Sequence, residues 1–338
     1  MSIWVIVLFI VGFALIIKGG DWFVEAAVWI AEVTHIPKIL IGATIVSLAT
    51  TLPELFVSLF AVIDGSAGLG IGNAIGSIIC NTGLILSIAL IVKPPKIERK
   101  LFLGKGLILV ISVVTLTAVA WDRVITPFES LYLFVILAAF IFYNIRGVKK
   151  AKKADQEEIF EDQVEIRHID TSKKSVIVNI AKFIVGAAGI IIGANLLVDN
   201  GIIIAGYLGV SESIIGLTVV ALGTSLPELV TTITSLVKKH GAMGVGNILG
   251  ANILNIVLVL STCAVSSKSG LAIPIERIFG SVNIPRTLYI DVPVVALMLA
   301  VLVLPVLFSK AGKLKRIQGI LLLVVYLGFL GFIAINII

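Results

Sequence analysis

Residues Gly42 to Leu59 read GATIVSLATTLPELFVSL, and residues Gly216 to Ile233 read GLTVVALGTSLPELVTTI. The second stretch lies 174 positions after the first, and nine of the eighteen paired positions are identical. Both copies are too apolar for a soluble loop, yet each holds hydroxyls, a proline and a glutamate within five residues, Thr50 to Glu54 and Thr224 to Glu228. An ionisable residue at that depth in apolar sequence marks function by default, and a repeated one marks duplication. The chain is therefore read as an internal repeat with a buried carboxylate in each copy.

Working outward, long apolar runs recur across all 338 residues. Only 14 % of residues are charged, 59 % are hydrophobic, and the mean hydropathy is +1.15. A soluble domain carries about 25 % charged residues. The expected fold is an all-α polytopic membrane protein of ten spans, near 3–33, 38–63, 67–92, 103–120, 126–146, 175–199, 209–236, 241–265, 287–308 and 316–337. The first apolar run continues through Lys18 to Ile30 without a small-residue processing site, so it is expected to stay as a span. Within it Lys18 and Asp21 are three apart, which suggests a local pair. Cys80 and Cys263 sit in apolar segments and read as small core residues. The net charge of +6 lies between spans, where it orients the chain; it is no nucleic-acid signal.

Connections after the odd-numbered spans carry twenty Lys and Arg, and those after the even-numbered spans carry four. The first set is expected in the cytoplasm, with both termini outside the cell membrane. One linker, 147–174, separates a first five-helix half (1–146) from a second (175–338). Its acidic run lacks a D-x-D-x-D-G calcium loop and fits a solvated helix. Five spans per half is odd, so the halves enter the membrane from opposite faces. That predicts an inverted repeat, with its two proline-broken helices meeting at the midplane.

The 174 offset persists. GIGNAIGSIICNTGLIL (Gly70 to Leu86) pairs with GVGNILGANILNIVLVL (Gly244 to Leu260). Asn73, Ser77 and Asn81 fall at i, i+4 and i+8, one polar stripe on a helix; its partner is Asn247, Ala251 and Asn255. Pro53 and Pro227 lack an N–H and clash with the carbonyls of Ala49 and Gly223, so each helix is expected to kink or break there. With the hydroxyls of Thr50, Thr51, Thr224 and Ser225, the donor set is hard oxygen, suited to sodium, calcium, magnesium or manganese. Two carboxylates would balance one Ca²⁺. Interhelical hydrogen bonding competes with ligation for the asparagines, Asn73 and Asn247 above all, and the residues alone do not say which end of each stripe faces an ion.

With SLATTLPEL and GNAIGSIICN in one half and ALGTSLPEL and GNILGANILN in the other, the chain resembles the sodium/calcium exchanger family of calcium/cation antiporters. The resemblance covers essentially the whole chain, with the short linker of prokaryotic members. It implies carboxylate ligands at Glu54 and Glu228. It implies hydroxyl and backbone ligands at Thr50, Thr51, Thr224 and Ser225, further ligands at Ser77 and Asn81, and sodium-binding carbonyls at Ser47 and Ala221. Asn255 stands where an aspartate occurs in potassium-dependent members, which points to K⁺ independence. Ala251 stands where a serine is common, which removes one oxygen from the sodium sites.

The expected function is thus a transporter, not an enzyme: Na⁺ inward against Ca²⁺ outward by alternating access. Its partners are these ions and the lipid bilayer. It has no prosthetic group and works as a monomer. A proton-coupled divalent antiporter is the alternative; that branch has a glutamate where Gly76 and Gly250 stand here. A channel would place its filter on an oligomer axis, whereas both halves of this site lie in one chain.

Overall fold

The computed structural model describes residues 2–161, 170–207, 223, 225–267, 269–278, 282–309 and 313–337. Nine helices among them are long and apolar enough to cross a membrane. In chain order the helices are α1 (Ile3–Thr34), α2 (Lys38–Ile41), α3 (Ser47–Ile63), α4 (Ala67–Cys80) and α5 (Ser87–Val92). Next come α6 (Arg99–Val119), α7 (Ser130–Glu161), α8 (Lys173–Tyr207), α9 (Leu226–Val237) and α10 (Gly241–Leu254). The last are α11 (Ser261–Ser266), α12 (Val292–Phe308) and α13 (Arg316–Ile337). Among the described residues four π-helical stretches, Gly42–Val46, Asn81–Leu86, Asn255–Leu260 and Thr287–Asp291, join or open these helices. Of the span expected at 209–236, the described part is the shorter apolar helix α9. Residues 208–222 and Thr224 lie outside the described residues.

Several boundaries move for local reasons. The span expected from 103 begins at Arg99, whose guanidinium reaches back to the carbonyls of Val306 (3.2 Å) and Leu307 (2.8 Å) at the end of α12. The span expected from 126 becomes helical at Ser130. Ahead of it Thr126 and Glu129 form a reciprocal capping box: Glu129 N–H donates to Thr126 Oγ1 (3.1 Å) and Thr126 N–H to Glu129 Oε2 (2.9 Å).

Of the kink or break expected at Pro53, the break does not occur. The chain is helical from Lys38 to Ile63, with Pro53 inside α3. A membrane helix tolerates proline when nearby hydroxyls and π-helical adjustments take up the disturbance. Here a π-helix precedes α3, and the hydroxyls of Thr44 and Ser47 donate to the carbonyls of Leu40 (2.7 Å) and Thr44 (3.2 Å). In the second copy Pro227 does mark a helix start: α9 begins at Leu226, and Ser225 before it lies at φ −91°, ψ 7°. Proline in a first turn sacrifices no helical hydrogen bond.

The most buried spans are Ala67–Val92 and Gly241–Ser266. They form the centre of the main apolar core, through Ile75, Ile78 and Ile79 on one and Ile248, Leu249 and Ile253 on the other. Segment 38–63 crosses α10 with the backbones almost touching. A Cβ on Gly246 would collide with the Ile39 carbonyl, and one on Gly250 would stand 2.7 Å from Ala43 Cα. Gly246 and Gly250 are thus what lets segment 38–63 meet α10, whereas their repeat mates Gly72 and Gly76 face nothing within 4 Å. α1 and α8 pack along each other; Phe23, Val24 and Ala27 with Ile190 on one side and Ile41, Val46 and Met243 on the other fasten them to the rest. The expected Lys18–Asp21 pair gives way to a longer link: Lys238 Nζ sits 3.3 Å from Asp21 Oδ1, and Lys18 lies over the Trp22 ring. Two short antiparallel pairings, Val124–Ile125 with Leu271–Ala272 and Glu276–Ile278 with Val282–Ile284, lie in the connections, and the first ties the two halves together.

Candidate cation site

Helix α3 is amphipathic in the inverse sense. Leu48, Leu52, Phe56, Val57 and Phe60 are exposed, while Ser47, Thr50, Thr51, Glu54 and Ser58 are buried. Positions i, i+3, i+4, i+7 and i+11 share one face, so the polar atoms form a stripe pointing inward. α9 does the same with Glu228, Thr231, Thr232 and Ser235. Glu54 and Glu228 are each 0 % exposed and lie within electrostatic range of one another.

These groups have few protein partners. Both carboxylate oxygens of Glu54 and of Glu228, the hydroxyls of Thr51, Ser77, Ser225 and Thr232, Asn81 Oδ1, and both amide atoms of Asn255 are buried without a hydrogen bond. Leaving a buried polar atom unpaired costs about 1–3 kcal/mol, more if charged. Such a concentration on four packed segments is unfavourable unless something else supplies the partners. Hard cations suit this oxygen set. Among the described residues no three His, Cys, Asp or Glu side chains converge on one point. A cation held here would find two carboxylates for charge balance and neutral oxygens for the rest of its shell.

The asparagines divide as the competing readings allowed. Asn73 donates to Ser58 Oγ (2.9 Å) and to the Glu54 carbonyl (3.3 Å). Asn247 donates to Thr231 Oγ1 (2.8 Å) and accepts from Thr50 Oγ1 (3.3 Å). Both are cross-helix braces that hold the carboxylate helices in register. Asn81 gives its N–H to Asn252 Oδ1 (3.2 Å), and Asn252 gives its own to Thr82 Oγ1 (2.7 Å). This chain of amides leaves Asn81 Oδ1 free for another partner. Asn81 and Asn255 each open a π-helical stretch, Asn81–Leu86 and Asn255–Leu260, at the same 174 offset. Such stretches frequent functional sites, because the widened turn re-aims side chains.

Of the expected site residues, Ser47, Thr50, Thr51, Glu54, Ser77, Asn81, Ser225, Glu228 and Asn255 are all buried on these segments. Ala221 and Thr224 lie outside the described residues. Ala251 is fully buried and brings no oxygen. The sequence reading missed Thr232 and its repeat mate Ser58, and it missed Asn252. The first two were visible as hydroxyls one helical turn past each glutamate; Asn252, opposite Ile78, has no counterpart in the repeat and gave no signal.

A family model described as "Sodium/calcium exchanger protein" matches residues 4–146 and 178–335. An uncharacterized membrane protein of Methanocaldococcus jannaschii is 33 % identical over 323 residues, covering 94 % of each chain. The sodium/calcium exchanger MaX1 of Methanosarcina acetivorans is 29 % identical, covering 95 % of this chain and 96 % of its own. Among solved structures, the sodium-calcium exchanger NCX_Mj soaked with Na⁺ and Sr²⁺ superimposes with a TM-score of 0.79 at 28 % identity, covering 98 % of this chain and 99 % of that one.

Proposed function

The chain belongs to the sodium/calcium exchanger family, and from that premise we propose that it lets Na⁺ run inward to drive Ca²⁺ outward through one site cluster. At the family level it is a multi-pass membrane antiporter for Ca²⁺ and a second cation, and not an enzyme. The observation that carries the finer reading is the set of buried, unpaired oxygens around Glu54 and Glu228.

In this reading the two carboxylates neutralise Ca²⁺, and Thr50, Thr51, Ser77, Asn81, Thr224, Ser225 and Asn255 complete the oxygen shell. Carbonyls at Ser47 and Ala221 join in holding Na⁺, and Thr232 adds a hydroxyl. When Na⁺ replaces Ca²⁺ the same carboxylates serve two monovalent charges. An empty, doubly ionised site is strongly disfavoured away from water, so the loaded forms are the ones that cross. The ten-span inverted repeat supplies two equivalent ways of closing around that centre. Extracytoplasmic termini and a cytoplasmic linker at 147–174 follow from the twenty-to-four bias of basic residues. Asn255 in place of a third carboxylate supports exchange without K⁺.

Proton coupling is disfavoured by glycine at both Gly76 and Gly250, where the proton-coupled branch has a glutamate. At Gly250 a Cβ alone would come 2.5 Å from Ser47 Oγ, while at Gly76 it would meet nothing within 4 Å. The deciding experiment is ⁴⁵Ca²⁺ uptake into vesicles of purified protein under imposed Na⁺, K⁺ or pH gradients at fixed membrane potential. Uptake driven by the Na⁺ gradient alone is expected. Uptake that follows the pH gradient, or that requires K⁺, would overturn the coupling assigned here. Orientation is read separately, by impermeant-reagent labelling of Lys153→Cys in intact cells; labelling from outside would reverse the topology.

A further inference from the structure

Away from the cation site, a cavity lies between the end of α1 and the start of α8. Near the middle of the pair, glycines keep them in contact: a Cβ on Gly19 would stand 2.8 Å from the Gly186 carbonyl. Towards the end of α1 and the start of α8 an open wedge of about 570 Å³ lies between the helices. Glu25, Trp29 and Glu32 on α1, with Lys174 and Lys182 on α8, line this wedge, with Val28 and Val178 as its apolar wall.

Its depth follows from helix length. α1 has 32 residues and α8 has 35, so each runs about 48–52 Å at 1.5 Å per residue. The hydrocarbon core is about 30 Å thick, or 40–45 Å with the headgroup layers. The wedge, at the ends of both helices, falls in the headgroup layer, the usual level for a tryptophan such as Trp29.

The charges in the wedge are of both signs and unequally engaged. Lys182 Nζ holds Glu25 Oε1 at 2.9 Å, and Lys38 holds Glu32 at 3.3 Å from outside the wedge. Trp29 Nε1 donates to the Asp170 carbonyl (3.3 Å), and the Asp170 carboxylate caps the Ser172 N–H (2.9 Å). Lys174 has no ion-pair partner among the described residues. The wedge thus brings together a free ammonium, an apolar wall, an indole and the half-exposed carboxylates of Glu25 and Glu32. A purely anionic ligand would meet Glu25, Glu32 and Asp170. A ligand carrying an anion and a cation a few ångströms apart would satisfy both ends.

We propose that this wedge binds the headgroup of a zwitterionic aminophospholipid, of the phosphatidylethanolamine type. Its phosphate lies at Lys174, its ammonium towards Glu32 and Trp29, and its glycerol and acyl chains run down the Val28–Val178 wall into the bilayer. The primary ammonium is part of the assignment, because it brings three N–H donors to carboxylates that choline cannot supply. A lipid seated between α1 and α8 would tie these two helix ends together.

The test is native mass spectrometry of the full chain, released from nanodiscs of equimolar phosphatidylethanolamine, phosphatidylcholine and phosphatidylglycerol. One retained phosphatidylethanolamine per chain is expected, preferred at least tenfold over the other two. Lys174→Glu is expected to abolish that preference; the milder Lys174→Gln is expected to reduce it severalfold, without altering the helix. Equal retention of phosphatidylglycerol would show a generic basic surface and overturn the assignment. So would retention of phosphatidylethanolamine that is indifferent to both variants, since it would be annular lipid only. The readout needs no ion flux, so it stands or falls separately from the exchange activity.

Discussion

Gly250→Ala tests whether the close crossing of segment 38–63 over α10 builds the cation site. The added Cβ would stand 2.7 Å from Ala43 Cα and 2.5 Å from Ser47 Oγ. The hydroxyl can rotate away; the backbone atom cannot. Ordinary contact begins near 3.4 Å, so the crossing must open by about 0.7 Å. Overpacking of this kind costs about 1–3 kcal/mol, against a gain of about 1 kcal/mol from replacing glycine by alanine in a helix. The net loss of stability is therefore about 0–2 kcal/mol. The larger effect is on register. The Thr50–Asn247 hydrogen bond is already 3.3 Å long, and opening by about 0.7 Å takes it beyond bonding range. Glu54 lies one helical turn past Thr50, so its carboxylate recedes from Glu228 with it. Na⁺-driven Ca²⁺ flux is expected to fall at least tenfold while the protein still inserts, with a lower thermal midpoint. The control is Gly328→Ala on α13, where an added Cβ meets nothing within 4 Å. There the helix-propensity gain stands alone, and the midpoint should rise without change in flux. Equal behaviour of the two variants would refute the reasoning, because only the crossing distinguishes them.

Other outcomes follow from buried polar groups. Lys105, fully buried in α6, donates to Asn144 Oδ1 (2.5 Å) and faces the rings of Phe140 and Tyr143. Asn144→Ala should cost about 1.5–3 kcal/mol, and Lys105→Met markedly less, in thermal unfolding; the reverse order would contradict the ammonium–amide assignment. His240, in the turn before α10, has its pKa lowered by partial burial first and by the neighbouring Lys38 ammonium second. Its folded pKa lies below the unfolded value, so its contribution to stability is present above the unfolded pKa and is lost as pH falls through the folded one. His240→Gln should flatten that acid-side loss in a pH series of thermal scans, and an unchanged profile would exclude His240 as its source. Ala251→Ser should lower the half-saturating Na⁺ concentration by up to about fivefold, on the order of 1 kcal/mol for one neutral oxygen, with little change for Ca²⁺.

How much of this was legible in the sequence depends on the kind of signal. The repeated TxLPEL core located Glu54 and Glu228 because a carboxylate in apolar sequence has no bland explanation. The spans at 38–63, 67–92 and 287–308 were readable from unbroken apolar runs, and the structure has them at those limits. That the helix runs on through Pro53 was not legible, because the π-helical turn ahead of α3 and the packing of its polar face lie outside any local penalty. The division of the asparagines was not legible, since i and i+8 look alike on a helical wheel; whether Asn73 faces Ser58 or an ion depends on how far α4 is rotated against α3. Asn252 was invisible because its role is to orient Asn81 across the repeat boundary, 171 residues away. Lys238 and Asp21, 217 apart, are coupled in the same long-range manner.

The central claim is that Glu54 and Glu228 jointly hold one Ca²⁺. Calorimetric titration of Ca²⁺ into the detergent-solubilised protein, with Glu54→Gln, Glu228→Gln and the exposed-loop control Asp64→Asn beside it, tests that most directly. Glutamine keeps the size and one carbonyl oxygen and removes the charge. A surface ion pair would lose about 0–1 kcal/mol, whereas a charge lost opposite a buried ion should cost about 3–5 kcal/mol, at least a hundredfold in Kd. One Ca²⁺ per chain is expected in the unsubstituted protein and in Asp64→Asn, and no measurable binding at the same concentrations in either glutamine variant. Native affinity and stoichiometry in both glutamine variants would contradict it, because the ion would then reside elsewhere.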